Sequence, residues 1–116
     1  MPHIHLETTS DLWENGAIPD ILEALVSRLA TFETISAPSI KATHSLRSVW
    51  AMGMGGRSGY AHCTVSILTG RPPELRRRIA DGLYAVMKQC FVESDSTGEA
   101  SLTLEVREME ADTYRK

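Results

Sequence analysis

Proline directly behind the initiator methionine, Met1-Pro2, is the feature of this chain best suited to unusual chemistry. Methionine ahead of a small second residue is normally excised. Pro2 would then present a free secondary amine, a base with no side-chain counterpart. An ordinary α-amino group titrates at about pH 8. Apolar surroundings disfavour the charged form and lower that value towards neutrality, the range suited to a general base. The competing reading is a plain, unstructured terminus. Cys63 and Cys90 sit in apolar patterns, without C-x-x-C spacing and with no histidine evidently paired to either. They are expected to be buried free thiols in a reducing compartment, neither nucleophiles nor disulfide partners. His3 and His5 share a strand face, but no third ligand is evident, so no metal site is expected. Trp50 and Tyr60 either line a pocket for an unsaturated acid or fill core.

The elements that must position Pro2 follow from periodicity. Residues 2 to 8 alternate, with Ile4 and Leu6 on one face and His3, His5 and Glu7 on the other, which predicts a strand. Pro19 suits a first helical turn. Ile18, Ile21, Leu22, Leu25, Val26 and Leu29 form one stripe, predicting a helix from about residue 18 to 33. Ile40, Ala42, Leu46 and Trp50 fall on alternate positions of a second strand. The tract from Gly53 to Gly59 is a turn or loop. Tyr60 to Leu68 is a third strand, and Gly70-Arg71-Pro72-Pro73-Glu74 opens a second helix in which Leu75, Ile79, Leu83, Val86 and Cys90 recur. Ser94 to Gly98 reads as a turn, Leu102, Leu104 and Val106 as a last strand, and the charged tail after Met109 as frayed.

The order is β-α-β, then β-α-β. The predicted class is α+β, a two-layer sandwich of one four-stranded sheet with both helices on one face, in a single domain spanning residues 1–116. The uncovered face is expected to carry apolar side chains, which a symmetric oligomer would bury. Length and a 42% hydrophobic content fit a globular chain. With a net charge of −3, nucleic acid is not an expected partner; Arg76-Arg77-Arg78 reads as a solvated helix face. No segment has the length of a membrane span and no signal peptide is visible, so a cytoplasmic protein is expected.

Three stretches carry a specific resemblance: Met1-Pro2-His3, Trp50-Ala51-Met52, and His62-Cys63-Thr64-Val65-Ser66-Ile67-Leu68-Thr69-Gly70-Arg71. With the overall pattern and length, the chain resembles the tautomerase superfamily, and most closely its 5-carboxymethyl-2-hydroxymuconate isomerase branch. The resemblance implies a homotrimer with sites at subunit interfaces, no cofactor, and the amino-terminal proline as catalytic base. The implied reaction is ketonisation of a 2-hydroxymuconate-type unsaturated dicarboxylic acid.

The resemblance also proposes substrate-binding cations. Arg71 stands where the family places an arginine; it either clamps a carboxylate through its fork or ties the turn. Lys41 stands where close relatives carry the first arginine of an Ile-Arg-Ser-Arg run. Here the run is Ile40-Lys41-Ala42-Thr43, so the second arginine is replaced by Thr43. Arg47, four residues on, keeps the side parity of Thr43 on a strand and is the candidate to compensate. His62 matches a family histidine and reads as structural. Two other functions fit the same residues. One is hydration, dehalogenation or decarboxylation of a small unsaturated or keto acid, with protonated Pro2 as the acid and a carboxylate such as Glu7 to activate water. The other is a trimeric binding protein with weak catalysis.

Overall fold

The protein is described here by a computed structural model covering residues 1–116. Strand β1 (His3–Thr9) alternates as its sequence predicts, burying Ile4, Leu6 and Thr8 and turning His3, His5 and Glu7 outward. Helix α1 (Ile18–Leu29) carries Pro19 in its first turn and buries Ile18, Ile21, Leu25 and Leu29, a three-and-four spaced stripe. Strand β2 (Lys41–Arg47) returns parallel to β1, and β3 (Gly59–Leu68) runs antiparallel to β1 on its other side. Helix α2 (Pro73–Cys90) and the short α3 (Val92–Ser96) lead to β4 (Ala100–Met109), parallel to β3. The sheet order is β2-β1-β3-β4. The two long helices pack on one face. Ile4, Leu6, Cys63, Val65 and Ile67 from the sheet meet Leu25, Leu29, Ile79, Leu83 and Met87 in one core.

Four boundaries or faces differ from the sequence expectation. Helix α1 stops at Leu29, not near residue 33. The amides of Thr31 and Phe32 bond back only three residues, to Arg28 and Leu29, and this tightening turns the Phe32 ring into the core. Strand β2 stops at Arg47, short of Trp50, whose indole N–H instead donates to the Ser58 carbonyl at 2.9 Å and closes the intervening loop. Residues 92–96 form a helical turn because a distant carboxylate satisfies its amino end. Glu14 accepts the amides of Glu93 (3.0 Å) and Ser94 (3.2 Å) and the Ser94 hydroxyl (2.6 Å). Finally, the uncovered sheet face is polar, not apolar. His3, His5, Glu7, Thr43, Ser45, His62, Thr64, Ser66, Thr103 and Glu105 occupy it. Apolar burial on that face therefore gives no reason to associate.

The tail does not fray either. β4 ends beside the exit of β3, where the Thr69 amide bonds the Met109 carbonyl at 3.0 Å. A turn at Glu110–Tyr114 then folds the chain back across the sheet end. There the Tyr114 hydroxyl and His3 Nε2 are hydrogen-bonded at 2.9 Å, the rings packing edge to face at 6.0 Å. The last residues thus lie at the amino-terminal end of β1.

At the opposite end of the sheet, Gly59 is buried where a β-carbon would stand 2.4 Å from both Thr9 Oγ1 and Asp11 Oδ1. Those two atoms belong to a built turn: Thr9 donates to Asp11 (2.7 Å) and accepts the Tyr60 amide (2.9 Å). Gly59→Ala should lower stability by about 2 kcal/mol, through overpacking and a broken buried hydrogen bond. A urea midpoint unchanged from wild type would show that the turn yields freely.

Candidate active site

Pro2 is buried just ahead of β1, and its carbonyl accepts the Lys41 amide at 3.0 Å, so the parallel β1–β2 ladder holds it. The alternative of an unstructured terminus is thereby corrected. Around Met1 and Pro2 lies a cavity of about 340 Å³, lined by Thr34, Ser36, Ser39, Leu68, Arg71 and Lys116. That volume falls within the range of small-ligand sites.

Arg71 reaches the cavity from the turn between β3 and α2. Its Nε donates to Thr34 Oγ1 (2.8 Å), one terminal nitrogen to the Leu68 carbonyl (3.2 Å) and the other to the Thr34 carbonyl (3.0 Å). A guanidinium has five N–H donors, so these bonds leave donors for an anion. They also hold Thr34 at φ 68°, a left-handed conformation that a β-branched residue rarely takes. Both readings of Arg71, turn tie and carboxylate clamp, are thus compatible with one geometry. Lys41 begins β2 beside His3; its side chain is exposed on the uncovered face.

Electrostatics single out the amino terminus. The Met1 amine is held below the ordinary α-amino range, first by burial and then by the positive charges of Lys116, Arg71 and Lys41. None of those three cations is paired with a carboxylate, and no acidic side chain lines the cavity. The side chains lining the pocket therefore carry positive charge and no negative charge.

Arg47 is not part of it within the subunit. It does share the face of Thr43, but β1 and β2 run parallel, so it pairs with Thr9 while Lys41 pairs with His3. At roughly 3.3 Å per residue the two ends lie about 20 Å apart. There Arg47 binds Glu7 at 3.0 Å, and the other oxygen of Glu7 accepts the Tyr60 hydroxyl. These bonds hold the Glu7 carboxyl below its usual range, the Arg47 contribution being larger. Glu7 and Tyr60 are consequently as remote from Pro2 as Arg47 is. The Thr43 hydroxyl and His5 Nδ1 are hydrogen-bonded at 2.9 Å, and His62 lies between Thr103 and Glu105. Burial pushes the Cys63 thiol up to about 12 and raises Cys90 as well, which leaves neither poised as a nucleophile.

The fold agrees with comparisons to known proteins. A sequence profile of the 5-carboxymethyl-2-hydroxymuconate isomerase family matches residues 2–116. The chain belongs to that family. It is an isomerase of the tautomerase type, with the mixed four-stranded sheet of that superfamily. A 5-carboxymethyl-2-hydroxymuconate isomerase from Deinococcus radiodurans R1 superposes with a TM-score of 0.89 at 26% identity, over 99% of this chain and 87% of that one. A 5-carboxymethyl-2-hydroxymuconate delta-isomerase superposes at 0.84 with 15% identity, over 100% and 87%. A fused 4-OT wild type symmetric trimer superposes at 0.72 with 16% identity, over 93% and 85%. Among functionally curated protein sequences none matches.

For the isomerase, sequence pattern brought forward Pro2, Arg71 and Lys41, and the structure clusters their charges. It gave no sign of Thr34, Ser36, Ser39, Leu68 or Lys116. The serines and the threonine sit in a loop without periodicity, and Lys116 arrives only because the tail folds back.

Proposed function

We propose that the isomerase ketonises a 2-hydroxymuconate-type unsaturated dicarboxylic acid, with the free amine of Pro2 as the proton shuttle. The observation that carries this reading is a buried Pro2 that shares one cavity with Arg71 and Lys116, neither of them paired with an acidic side chain, and with Lys41 on the adjoining strand. Excision of Met1 frees the secondary amine. In its neutral form the nitrogen takes the proton of the enol hydroxyl. The O–H electron pair becomes the carbonyl, the conjugated double bond shifts, and the distal carbon takes the proton back from the ammonium. The sequence is redox-neutral, needs no cofactor, and restores the amine. The cations hold the substrate carboxylates and the oxygen on which negative charge grows during transfer. Arg71 is the better matched to a carboxylate, because its fork gives two parallel bonds where a lysine gives a point charge.

The reaction is tested by ultraviolet spectroscopy on a panel of 2-hydroxy-2,4-dienoic acids, watching loss of the dienol absorbance. Enzyme-dependent ketonisation of the dicarboxylic members is the expected result. Equal rates with and without the protein across the panel would sink the proposal. Water-adding chemistry lacks a comparable basis here, since Glu7, the acid nearest Pro2 in sequence, is held by Arg47 and Tyr60 at the other end of the sheet.

The working form in this reading is a homotrimer with its sites at subunit interfaces. Both outer strands of the sheet, β2 and β4, leave an unpaired edge, which proteins seldom expose without cover. The exposed apolar side chains Leu46, Val49 and Met54 lie on the end of β2 and the loop after it. Light scattering should return three times the chain mass at micromolar concentration; a stable monomer would refute the assembly.

A further inference from the structure

Arg47, the candidate to compensate for Thr43, lies at the far end of β2 and does not reach the cavity within the subunit. Another cation does reach the cavity, from the far end of the chain. We propose that Lys116 is the residue that holds the second carboxylate of a dicarboxylic substrate, and that Tyr114 positions it. This assignment rests on the proposed function and adds a specificity residue that neither the family pattern nor the strand register supplies.

The argument is geometric. Pro2, Arg71 and Lys116 all line the same cavity, whereas Lys41 lies outside its lining, on the adjoining strand. A dicarboxylate bound against Pro2 needs two anchors, one at each end of a rigid conjugated chain. Arg71 offers one. Lys116 is the other cationic side chain in the lining, and it has no carboxylate partner. Its place there is built. Glu110 accepts the amides of Thr113 (3.3 Å) and Tyr114 (3.2 Å), which bends the tail. The Tyr114 hydroxyl bonds His3 Nε2, on the residue next to Pro2. Arg115 closes the turn through the Asp112 carbonyl at 2.8 Å. The chain thus comes back to the amino-terminal end of β1, and Lys116 lines the pocket there. Among the charges that act on the Met1 amine Lys116 comes first, which agrees with its place at this end of the sheet.

Lysine at this place would discriminate by charge count. A monocarboxylic dienol satisfies Arg71 alone and gains little from Lys116; a dicarboxylic one engages both. The test compares wild type, Lys116→Met, Lys116→Arg and Tyr114→Phe, all with Met1 removed. Two readouts are used: KM and kcat for a dicarboxylic and a monocarboxylic 2-hydroxydienoate, and calorimetric Kd for the saturated probes adipate and hexanoate. Lys116→Met should weaken the dicarboxylic ligands about 10-fold in KM and Kd and change the monocarboxylic ones less than 2-fold. Lys116→Arg should preserve the preference. Tyr114→Phe keeps the ring but drops the bond to His3, and should move the same ratio by about 3-fold. An equal effect on both ligand classes, no effect on either, or no adipate binding by wild type overturns the assignment. Turnover without any Lys116-dependent preference would leave the proposed function standing and the assignment refuted. Lys116-dependent adipate binding in a protein that turns over no dienol would do the reverse.

Discussion

A protein that keeps Met1, or carries an extension ahead of Pro2, should lose nearly all ketonisation activity. In either form the Pro2 nitrogen is an amide, with no lone pair available to take a proton. General base catalysis by a positioned group is worth on the order of 10²–10⁴-fold, and losses of that size are expected in kcat/KM. Met1 also forms part of the cavity wall beside Pro2, so the retained residue stands between the nitrogen and a ligand. Pro2→Ala separates the two causes. It leaves a primary amine in the same place once Met1 is excised, so activity should fall without vanishing. The pH profile gives a further check. Burial and the charges of Lys116, Arg71 and Lys41 disfavour the ammonium of Met1, and Pro2, buried in the same cavity, presents its free amine to the same surroundings once Met1 is excised. The amine therefore loses its proton at lower pH than an unperturbed one. kcat/KM should rise with pH along a limb whose midpoint lies below the ordinary α-amino value of about 8. Mass spectrometry on each preparation fixes whether Met1 is present. A protein shown to retain Met1 and still fully active would exclude Pro2 as the base.

The parts of this molecule that could be read from its sequence share one property: each is set by short-range periodicity. The alternation of Ile4 and Leu6 against His3, His5 and Glu7, and the stripe from Ile18 to Leu29, define elements whose neighbours lie a few residues away. Contacts that close over long sequence separations escaped that reading. Glu14 makes a helical turn of residues 92–96 from more than seventy positions away, and Tyr114 ties the tail to His3. The uncovered face of the sheet also differs from the expectation of an apolar surface. Ser66, Thr64 and His62 alternate with Val65 and Cys63 in a clean polar pattern, so β3 already signalled a wet face. The apolar surface in need of cover instead gathers around Leu46, Val49 and Met54, where no regular pattern marks it. At the site the same division holds. Pro2 and Arg71 stand within family-like stretches, whereas Arg47 was judged on side parity alone. Parity says which face a strand residue takes but not how far along it lies, and in a parallel pair that distance decides the matter.

Arg71→Ala should raise KM for carboxylate substrates by about 10- to 100-fold, the loss of about 1.5–3 kcal/mol for hydrogen bonds to a charged group. It should also soften the fold, because the same side chain holds Thr34 and Leu68 by three hydrogen bonds. Two further variants separate those roles. Arg71→Lys keeps the charge but cannot span Thr34 and Leu68 while presenting a fork to the substrate, so KM should rise by an intermediate amount. Thr34→Gly removes one acceptor of the guanidinium and relieves the left-handed backbone at φ 68°, which glycine adopts without strain. The main-chain carbonyl of residue 34 still accepts from Arg71. If the arginine binds substrate directly, Thr34→Gly should leave KM within about 3-fold of wild type, since neither the charge nor the main anchor is lost. Should Arg71→Ala lower the melting temperature sharply and leave KM unchanged, the residue is only the tie between two loops. The positive charge beside Pro2 would then fall to Lys41 and Lys116, two point charges without a fork.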